Sequence, residues 1–367
     1  MSDYDDPFVR LCANLSPVND RVKAADVARL AGVSRTAVSF VLNGRAEGNI
    51  APATAERVRA AAQELGYSPD RVAQSLRLQR THVVGLVTDE IASSPFAGRL
   101  LSGAVDRAAE SGYVLVLFDS QGRVEREQEA IEEFSRRRVD GLVYAAMHLR
   151  EATHLPTTTL PLVLANCLDP TGRHSSTTPD NVGAGAQAAR HLLGLGHRRI
   201  LMLGGPDDIA GEQRRDGFRS AALEVGLGAE QAPVINLGRV WTIDVGYAGA
   251  MSVFTDERGE VLPADERPTG VFAVNDRVAL GAVLALCRLG LDVPRDVSIV
   301  GFDDQEQLAA HVVPALTTFA LPHRQMGETA VDRLLARLIR SREPAREGTL
   351  LLPCAFVERE STAPPHH

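Results

Sequence analysis

The chain has little of what would place it in a membrane, outside the cell or among metalloproteins. No apolar run is long enough to span a bilayer, and the first residues, MSDYDDPFVRL, lack the basic and apolar segments of a secretory signal. We therefore expect a cytoplasmic protein. The four cysteines form no CxxC pair and no cluster with histidine, so the sequence predicts neither a disulfide framework nor a metal site.

Motifs of the common enzymes on α/β folds are also absent. The chain has no G-x-G-x-x-G after a strand, no G-x-x-x-x-G-K-[ST], no G-x-S-x-G and no H-E-x-x-H. The glycine pair in GLGHRR, at Gly194, is too short to indicate a phosphate-binding loop. The sequence thus argues against an enzyme and predicts no cofactor.

Basic residues are concentrated in one part of the chain, although the net charge is −8. Residues 21–80 hold ten Arg or Lys and five Asp or Glu, a net charge of +5, whereas residues 81–367 carry −10. Such asymmetry favours phosphate contact by the basic segment, the alternative being an ordinary solvated surface. The length of 367 residues indicates two or three domains.

Residues 26–43, DVARLAGVSRTAVSFVLN, have the pattern of two short helices joined at a sharp angle. The first helix has an apolar face formed by Val27, Ala28, Leu30 and Ala31, and a turn follows at Gly32 and Val33. Ser34 is placed to cap the second helix, which buries Val38, Val41 and Leu42.

The second helix is predicted to have an outward face that carries an arginine, two hydroxyls and an aromatic ring, namely Arg35, Thr36, Ser39 and Phe40. Such residues at a helix N-terminus suit phosphates and base edges, as in a helix-turn-helix whose second helix enters the major groove. The alternative is a tight helical hairpin inside a globular core, and Phe40 in particular can turn inward as core.

Pro52 suits the first turn of a third helix that ends at Gly66, although Ala51 replaces the usual cap. Its packed face is formed by Val58, Ala61, Ala62 and Leu65. We assign residues 21–68 to a DNA-binding domain, residues 1–20 to a flexible acidic tail and residues 69–81 to a linker.

From His82 onward, compact apolar runs alternate with helical patterns. The runs predicted to be strands are VVGLV, YVLVLF, DGLVYA, PLVLAN, RILMLG, PVINL, GVFAV and VSIVGF, and residues 169–181 are predicted to be a loop. This alternation is typical of βαβ units and predicts an α/β core with two doubly wound parallel sheets, one in each of two lobes. Ligands of such sheets bind at the carboxyl ends of the strands.

Taken in order, these segments resemble the LacI/GalR family of bacterial transcription regulators over about residues 21–360. The motifs that carry the resemblance are DVARLAGVSRTAVSFVLNGR, ERVRAAAQELGYSPDRVAQSLR, HLLGLGHRRILMLGG, and FAVNDRVALGAVLALCRLGLDVPRDVSIVGFDD followed by PALTTF. The resemblance implies a small all-α helix-turn-helix head and a core like that of periplasmic binding proteins. It also implies a homodimer that binds a pseudo-palindromic operator and responds to a small effector.

Without the resemblance, DRVAQSLR would be interpreted as a plain linker. The resemblance implies that it is a hinge helix that folds in the minor groove. Leu76 then matches the residue that wedges between base steps and kinks the duplex. The DNA-contacting residues implied in this way are Ser34, Arg35, Thr36, Ser39, Phe40, Asn43, Arg71, Ala73, Leu76 and Arg77. Many members have arginine where this chain has Phe40, so a different operator sequence is expected.

In the core, the resemblance implies an effector cleft in which Arg214 and Asp276 bracket a polyol. The other implied contacts are Ser94, Phe96, Asn166, Asp180, Trp241 and Asn275. The alternatives are that Asp276 caps a helix and that Arg214 forms a surface ion pair. We place the N-subdomain at about 82–179 plus 319–348, the C-subdomain at about 180–318 plus 349–360, and a disordered tail at 361–367.

A sugar or sugar derivative is the expected effector, with a nucleoside or purine as the alternative. From another class, a solute-binding protein of transport has the same two-lobed core, but it would need an export signal and no basic head. The apolar helices at 97–110 and 280–289 are either the dimer face or buried on two sides.

Replacing Leu76 by alanine tests the hinge assignment. Because the wedge acts only in the specific complex, Leu76→Ala is expected to weaken binding to the operator while sparing binding to nonspecific duplex. Titration of both duplexes measures this, and an equal loss for the two would refute the hinge assignment.

Overall fold

A computed structural model describes residues 22–67, 80–90, 97–153, 155, 157–205, 207–339 and 348–366. The chain divides into two compact units, Met1–Thr81 and His82–His367. The expected acidic tail at 1–20 and most of the expected hinge at 69–81 lie outside the described residues. No helix in the described part of the chain has the length and apolarity needed to cross a membrane.

Between residues 22 and 67 the first unit has three helices, α1 (Ala24–Ala31), α2 (Arg35–Leu42) and α3 (Pro52–Glu64). Gly32 ends α1 with a φ of +64°, a left-handed conformation that glycine adopts without strain. The three helices share one small core, formed by Val27, Ala28, Ala31, Val38, Val41, Ala55, Val58, Ala61 and Ala62. One prediction for this core is wrong, because Leu30 is 47% exposed and points away from it.

The first lobe of the second unit is built on a six-stranded sheet in the order β11-β5-β4-β3-β1-β2, with every pair parallel. Its strands are β1 (Val83–Thr88), β2 (Val114–Asp119), β3 (Gly141–Glu151), β4 (Leu162–Leu168), β5 (Ser175–Pro179) and β11 (Thr349–Leu352). Helices α4 (Ala97–Glu110) and α10 (His323–Ile339) cover one face of the sheet, and α5 (Val124–Arg136) covers the other.

The strand β5 corrects the sequence prediction, which assigned residues 169–181 to a loop. Its residues, SSTTP, are all buried, and they pair with β4 on one side and β11 on the other. Serine and threonine carry no hydrophobic period, so the apolar patterns that mark the neighbouring strands are missing here. The backbone groups of β5 are nevertheless satisfied, because the strand lies between β4 and β11 and pairs with both.

The second lobe has a four-stranded parallel sheet in the order β7-β6-β8-β9. Its strands are β6 (Ile200–Leu203), β7 (Val234–Ile235), β8 (Gly270–Ala273) and β9 (Ser298–Val300). Its helices are α6 (Asn181–Gly194), α7 (Ile209–Glu224), α8 (Ile243–Phe254) and α9 (Asp276–Arg288). The prediction of two doubly wound parallel sheets is therefore confirmed.

Two further strands, β10 (Thr318–Ala320) and β12 (Ala355–Val357), form an antiparallel pair. Because β11 pairs with β5 in the first sheet, residues 349–352 belong to the first lobe. The expected boundary at residue 348 is therefore too early. The strand is short and follows directly on a segment without apolar period, so its sheet was not evident from sequence.

Ser361 and Ala363 are packed against the second lobe, whereas a disordered tail is expected from residue 361 onward. Ser361 is fully buried, and its Oγ donates to the carbonyl of Ile299 at 2.6 Å and accepts from the amide of Thr317 at 2.8 Å. The carbonyl of Ala363 accepts from Ser298 Oγ and lies 3.0 Å from His197 Nε2. A short polar segment has no periodicity that would reveal such docking.

Ser361→Ala is expected to lower the free energy of unfolding by about 1–3 kcal/mol, because it removes both hydrogen bonds of a buried hydroxyl. The matched control is Ser220→Ala, since Ser220 is an exposed serine on α7 of the same lobe. Chemical denaturation compares the three proteins. A Ser361→Ala protein as stable as the control would contradict this docking.

Candidate functional site

The N-terminus of α2 has the geometry of a helix that can meet DNA. Ser34 caps it as predicted, with Oγ accepting from the amide of Ala37 at 3.1 Å. Arg35 and Thr36 follow directly and are exposed. A guanidinium and a hydroxyl at an open helix N-terminus suit contact with phosphates and base edges.

Further along α2, the predicted contacts differ in their availability. The amide of Asn43 donates to the carbonyl of Ser39 at 2.6 Å and to its hydroxyl at 3.0 Å, so these two residues bind each other. Phe40 is half-buried and does not belong to the core of the unit or to the residues packed on it. Among the described residues, Phe40 is therefore not part of the packed centre of the three helices. The predicted hinge contacts Arg71, Ala73, Leu76 and Arg77 lie outside the described residues.

A cavity of about 290 Å³ lies in the second unit at the carboxyl ends of strands from both lobes. Its walls combine acids, arginines, histidines and apolar side chains. They are formed by Glu90, Met147, His148, Leu149, Asn166, Pro179, Asn181, Asp208, Ala210, Arg214, Trp241, Asn275, Arg277, Asp303, Leu321 and His323. Two further predicted residues, Ser94 and Phe96, lie outside the described residues.

Arg214, on α7, is the most strongly fixed charge of the cavity. Its Nε donates to Asn181 Oδ1 at 2.9 Å, and its Nη1 donates to the carbonyl of Val274 at 2.6 Å. The guanidinium lies 3.6 Å from the ring centroid of Phe302. Helices α6 and α7 can approach this closely because residue 185 is a glycine. A Cβ at this position would lie only 2.1 Å from the carbonyl oxygen of Arg214. Arg214 is therefore not a surface ion pair.

The acid that faces Arg214 is Asp303 and not Asp276. Asp303 lines the cavity, and its Oδ1 lies 3.9 Å from Arg214 Nη2. Burial raises the pKa of Asp303 to about 6, against the opposing effect of Arg214 and Arg277. The signal for this residue was the acid pair that ends VSIVGFDD, directly after a buried strand.

Asp276, predicted to bind effector, lies behind the cavity wall. It is fully buried, and its carboxylate accepts from Thr318 Oγ1 at 2.6 Å and from the amide of Gln305 at 2.7 Å. Burial raises its pKa to about 7, with a further increase from nearby Asp303. The Asn-Asp dipeptide suggested that both side chains contribute to the same site. At the start of α9, however, the two side chains point in different directions. Asn275 caps α9 and lines the cavity, and Asp276 does not.

Asp180 is a second correction of the same kind. Its carboxylate caps α6 by accepting from the amide of Gly183 at 2.8 Å, and it does not line the cavity. The next residue, Asn181, takes that place. Asp208 caps α7 in a similar way, with Oδ1 accepting from Ala210 and Gly211, but it also reaches the cavity.

Asn166 and Trp241, both predicted to contact the effector, line the cavity. The amide of Asn166 donates to the carbonyls of Ala146 and Met147, which leaves Oδ1 as its remaining acceptor. The indole N–H of Trp241 donates to the carbonyl of Gly238 at 3.0 Å. The N–H donor of Trp241 is therefore already used within the protein.

Sequence reasoning missed His323 and Arg277, because nothing in their local pattern marks a site. His323, at the start of α10, is buried, and burial together with Arg99 and Arg214 lowers its pKa to about 4. The ring is therefore neutral near pH 7. The Nε of Arg277 is buried and has no hydrogen-bond partner within the described part of the chain.

A helix-turn-helix unit in the same chain as a two-lobed α/β core with a polar cavity defines a ligand-responsive DNA-binding regulator. Residues 24–70 match the family model of bacterial regulatory proteins of the lacI family, and residues 189–362 match that of the periplasmic binding protein-like domain. The chain belongs to the lacI family of bacterial regulatory proteins.

Similar proteins match along most of their length. The ribose operon repressor of Escherichia coli K12 is 33% identical over 344 residues, which cover 92% of this chain and 98% of that protein. The HTH-type transcriptional repressor PurR of Aliivibrio fischeri is 31% identical over 317 residues, 85% and 90% of the two chains. The crystal structure of the lac repressor dimer bound to operator and the anti-inducer ONPF has a TM-score of 0.72 at 29% identity, covering 94% of this chain and all of that one.

Asp276→Asn tests the burial of that carboxyl group. A pKa raised from about 4 in the unfolded chain to about 7 in the folded protein means that the folded state holds the proton more tightly, so Asp276 makes stability fall as pH rises from 4 to 7. Asparagine stays neutral. The variant should gain on the order of 2 kcal/mol relative to the parent between pH 5 and pH 8.

Denaturation of both proteins at the two pH values measures this gain. His323, whose pKa is lowered, makes stability rise with pH over the same range. Because this contribution is present in both proteins, it largely cancels in the difference between their free energies of unfolding. A difference that stays constant with pH would contradict a raised pKa for Asp276.

Proposed function

We propose that this chain is a transcriptional repressor that binds a pseudo-palindromic operator as a homodimer and is controlled by a small effector in the cavity. The effector class that fits best is a sugar or sugar derivative without charge. The observation that carries the proposal is the cavity itself, in which Arg214 and Asp303 face each other beside further polar side chains. No step in this function is enzymatic.

The chemistry of the cavity supports a polyol. Hydroxyl groups both donate and accept, and the lining of the cavity includes side chains of both kinds: Arg214 and Arg277 with donors, and Asp303, Asp208 and Asn166 with acceptors. The ring of Trp241 adds a flat apolar surface of the type that packs on the C–H face of a sugar.

Charge and size support a small uncharged effector. Three acids and two arginines line the cavity, and His323 is neutral near pH 7, so the walls provide no net positive charge for a phosphate. The volume of about 290 Å³ lies just below the range of about 300–1,000 Å³ for small-molecule sites. This size favours a monosaccharide over the nucleoside alternative.

The proposal for DNA rests on the exposed Arg35 and Thr36 at the capped start of α2, and on the positive charge of the segment around it. The lac repressor structure with operator is a dimer, which supports a dimer for this chain. Effector binding between two lobes changes the angle between them, and in a dimer that change reaches both heads. Coupling of this kind is commonly about 1–3 kcal/mol.

Thermal melting of the full chain against sugars, sugar phosphates and nucleosides should identify the effector, since a ligand at about 100 times its dissociation constant adds roughly 2.7 kcal/mol. We expect the largest shift from an uncharged sugar. A duplex selected from random sequences then serves for titration. The effector should change the affinity for that duplex by about 5- to 150-fold.

The control variant is Arg214→Met, which removes the cavity charge and leaves α2 untouched. It should keep its affinity for the duplex and lose the response to effector. Sedimentation of the parent should give the mass of a dimer. Three results would each contradict the proposal: no selected duplex, no shift with any compound, or a duplex affinity that no compound changes.

A further inference from the structure

The pairing of strand β3 with strand β4 is interrupted near the carboxyl end of β3. It pairs with β4 in register from Leu142 to Ala145, and pairing resumes only where Arg150 lies opposite Cys167. Residues 146–149 therefore have a single residue, Asn166, opposite them, and we call them the 146–149 excursion. Three of its residues, Met147, His148 and Leu149, line the cavity. The excursion is thus part of the first lobe's wall of the cavity.

Side chains from two neighbouring strands hold the backbone of this excursion. Asp89, directly after β1, accepts from the amide of Met147 at 2.9 Å. Asn166, on β4, donates to the carbonyls of Ala146 at 3.0 Å and Met147 at 3.2 Å. These bonds replace sheet hydrogen bonds that the excursion has given up.

Asp89 is in turn connected to a chain of polar side chains in which Tyr144 and Glu127 are buried and the side chain of Arg150 is 39% exposed. The guanidinium of Arg150 lies 3.5 Å from Asp89 Oδ2, and its Nη2 donates to the hydroxyl of Tyr144 at 2.5 Å. That hydroxyl donates to Glu127 Oε2 at 2.7 Å. Glu127, in the first turn of α5, also lies 3.4 Å from Arg150 and is only 2% exposed.

This arrangement restricts movement. The carboxylate of Glu127 is buried in the first turn of α5, where the helix dipole stabilises it and the Tyr144 hydroxyl donates to it. Moving Tyr144 and Arg150 away would leave this buried charge without its partners. Displacing the excursion would pull Asp89 from the amide of Met147 and from Arg150 together. The polar chain therefore ties the wall of the cavity to the rigid helix α5.

We propose that Asp89 and Arg150 are positioning residues for the effector: they hold the 146–149 excursion where it receives the ligand, without touching the ligand themselves. Tyr144 and Glu127 anchor them to α5. The proposal rests on the effector role of the cavity given above, but the position of the excursion can be measured without any effector.

Hydrogen exchange of the full chain without ligand tests the first half. Asp89→Ala should accelerate exchange of the amides at 146–150 by about tenfold, because the acceptor for Met147 is gone. Asp89→Asn keeps an acceptor and should accelerate it less. The matched control is Asp119→Ala, which removes an acid that caps the turn after β2 by accepting from the amide of Gln121. This control should leave 146–150 unchanged.

Calorimetric titration tests the second half, with D-ribose as the first probe and the strongest compound of the melting panel as the second. Asp89→Ala and Tyr144→Phe should each weaken binding at least fivefold, and Asp119→Ala should not. Asp89→Asn should restore part of the affinity. Unfolding midpoints of the variants separate this effect from general loss of stability.

Exchange at 146–150 that is the same in Asp89→Ala and the parent would overturn the proposal. Unchanged affinity despite accelerated exchange would overturn it as well. If the parent binds no compound at all, it is the effector role that fails, and the exchange result still decides whether Asp89 holds the excursion.

Discussion

The guanidinium of Arg214 carries a full charge at a position that is only 4% exposed, and much of the core is arranged around that charge. Burial lowers its pKa, so the charge persists only because partners surround it: the carbonyl of Val274, Asn181, the face of Phe302 and, at 3.9 Å, Asp303. These partners come from different strand ends and helix starts of the second lobe. A charge held in this way is available to a ligand without reorganisation, which is what gives a polar cavity its selectivity.

The overall architecture followed from sequence because it depends on patterns that repeat over many residues. The helix at 97–110 occurs at the predicted bounds, since it has a clear apolar face. The strand at 175–179 did not follow, because buried serine and threonine show no period. The docked end of the chain at Ser361 was missed for a related reason: a few hydrogen bonds, not a hydrophobic pattern, hold it.

The site was predictable to the extent that strand ends were. Arg214, Asn275, Asn166 and Trp241 line the cavity, because each lies near the carboxyl end of a strand or the start of the following helix. The acid was assigned to Asp276, whose side chain turns behind the wall, while Asp303 takes its place. Adjacent residues at a helix start point in different directions, and only coordinates decide which one faces the ligand.

The core binds the effector, the helix-turn-helix unit binds operator, and the free energies of the two binding events are coupled. Such coupling is reciprocal: whatever factor the effector applies to operator affinity, operator must apply to effector affinity. The most direct test is to titrate the effector into the free protein and into its complex with the selected duplex. The account predicts dissociation constants that differ by the same factor as the duplex affinities measured with and without effector. Equal effector affinity in the two states would contradict it. An Arg214→Met protein that still responds to effector would contradict it as well.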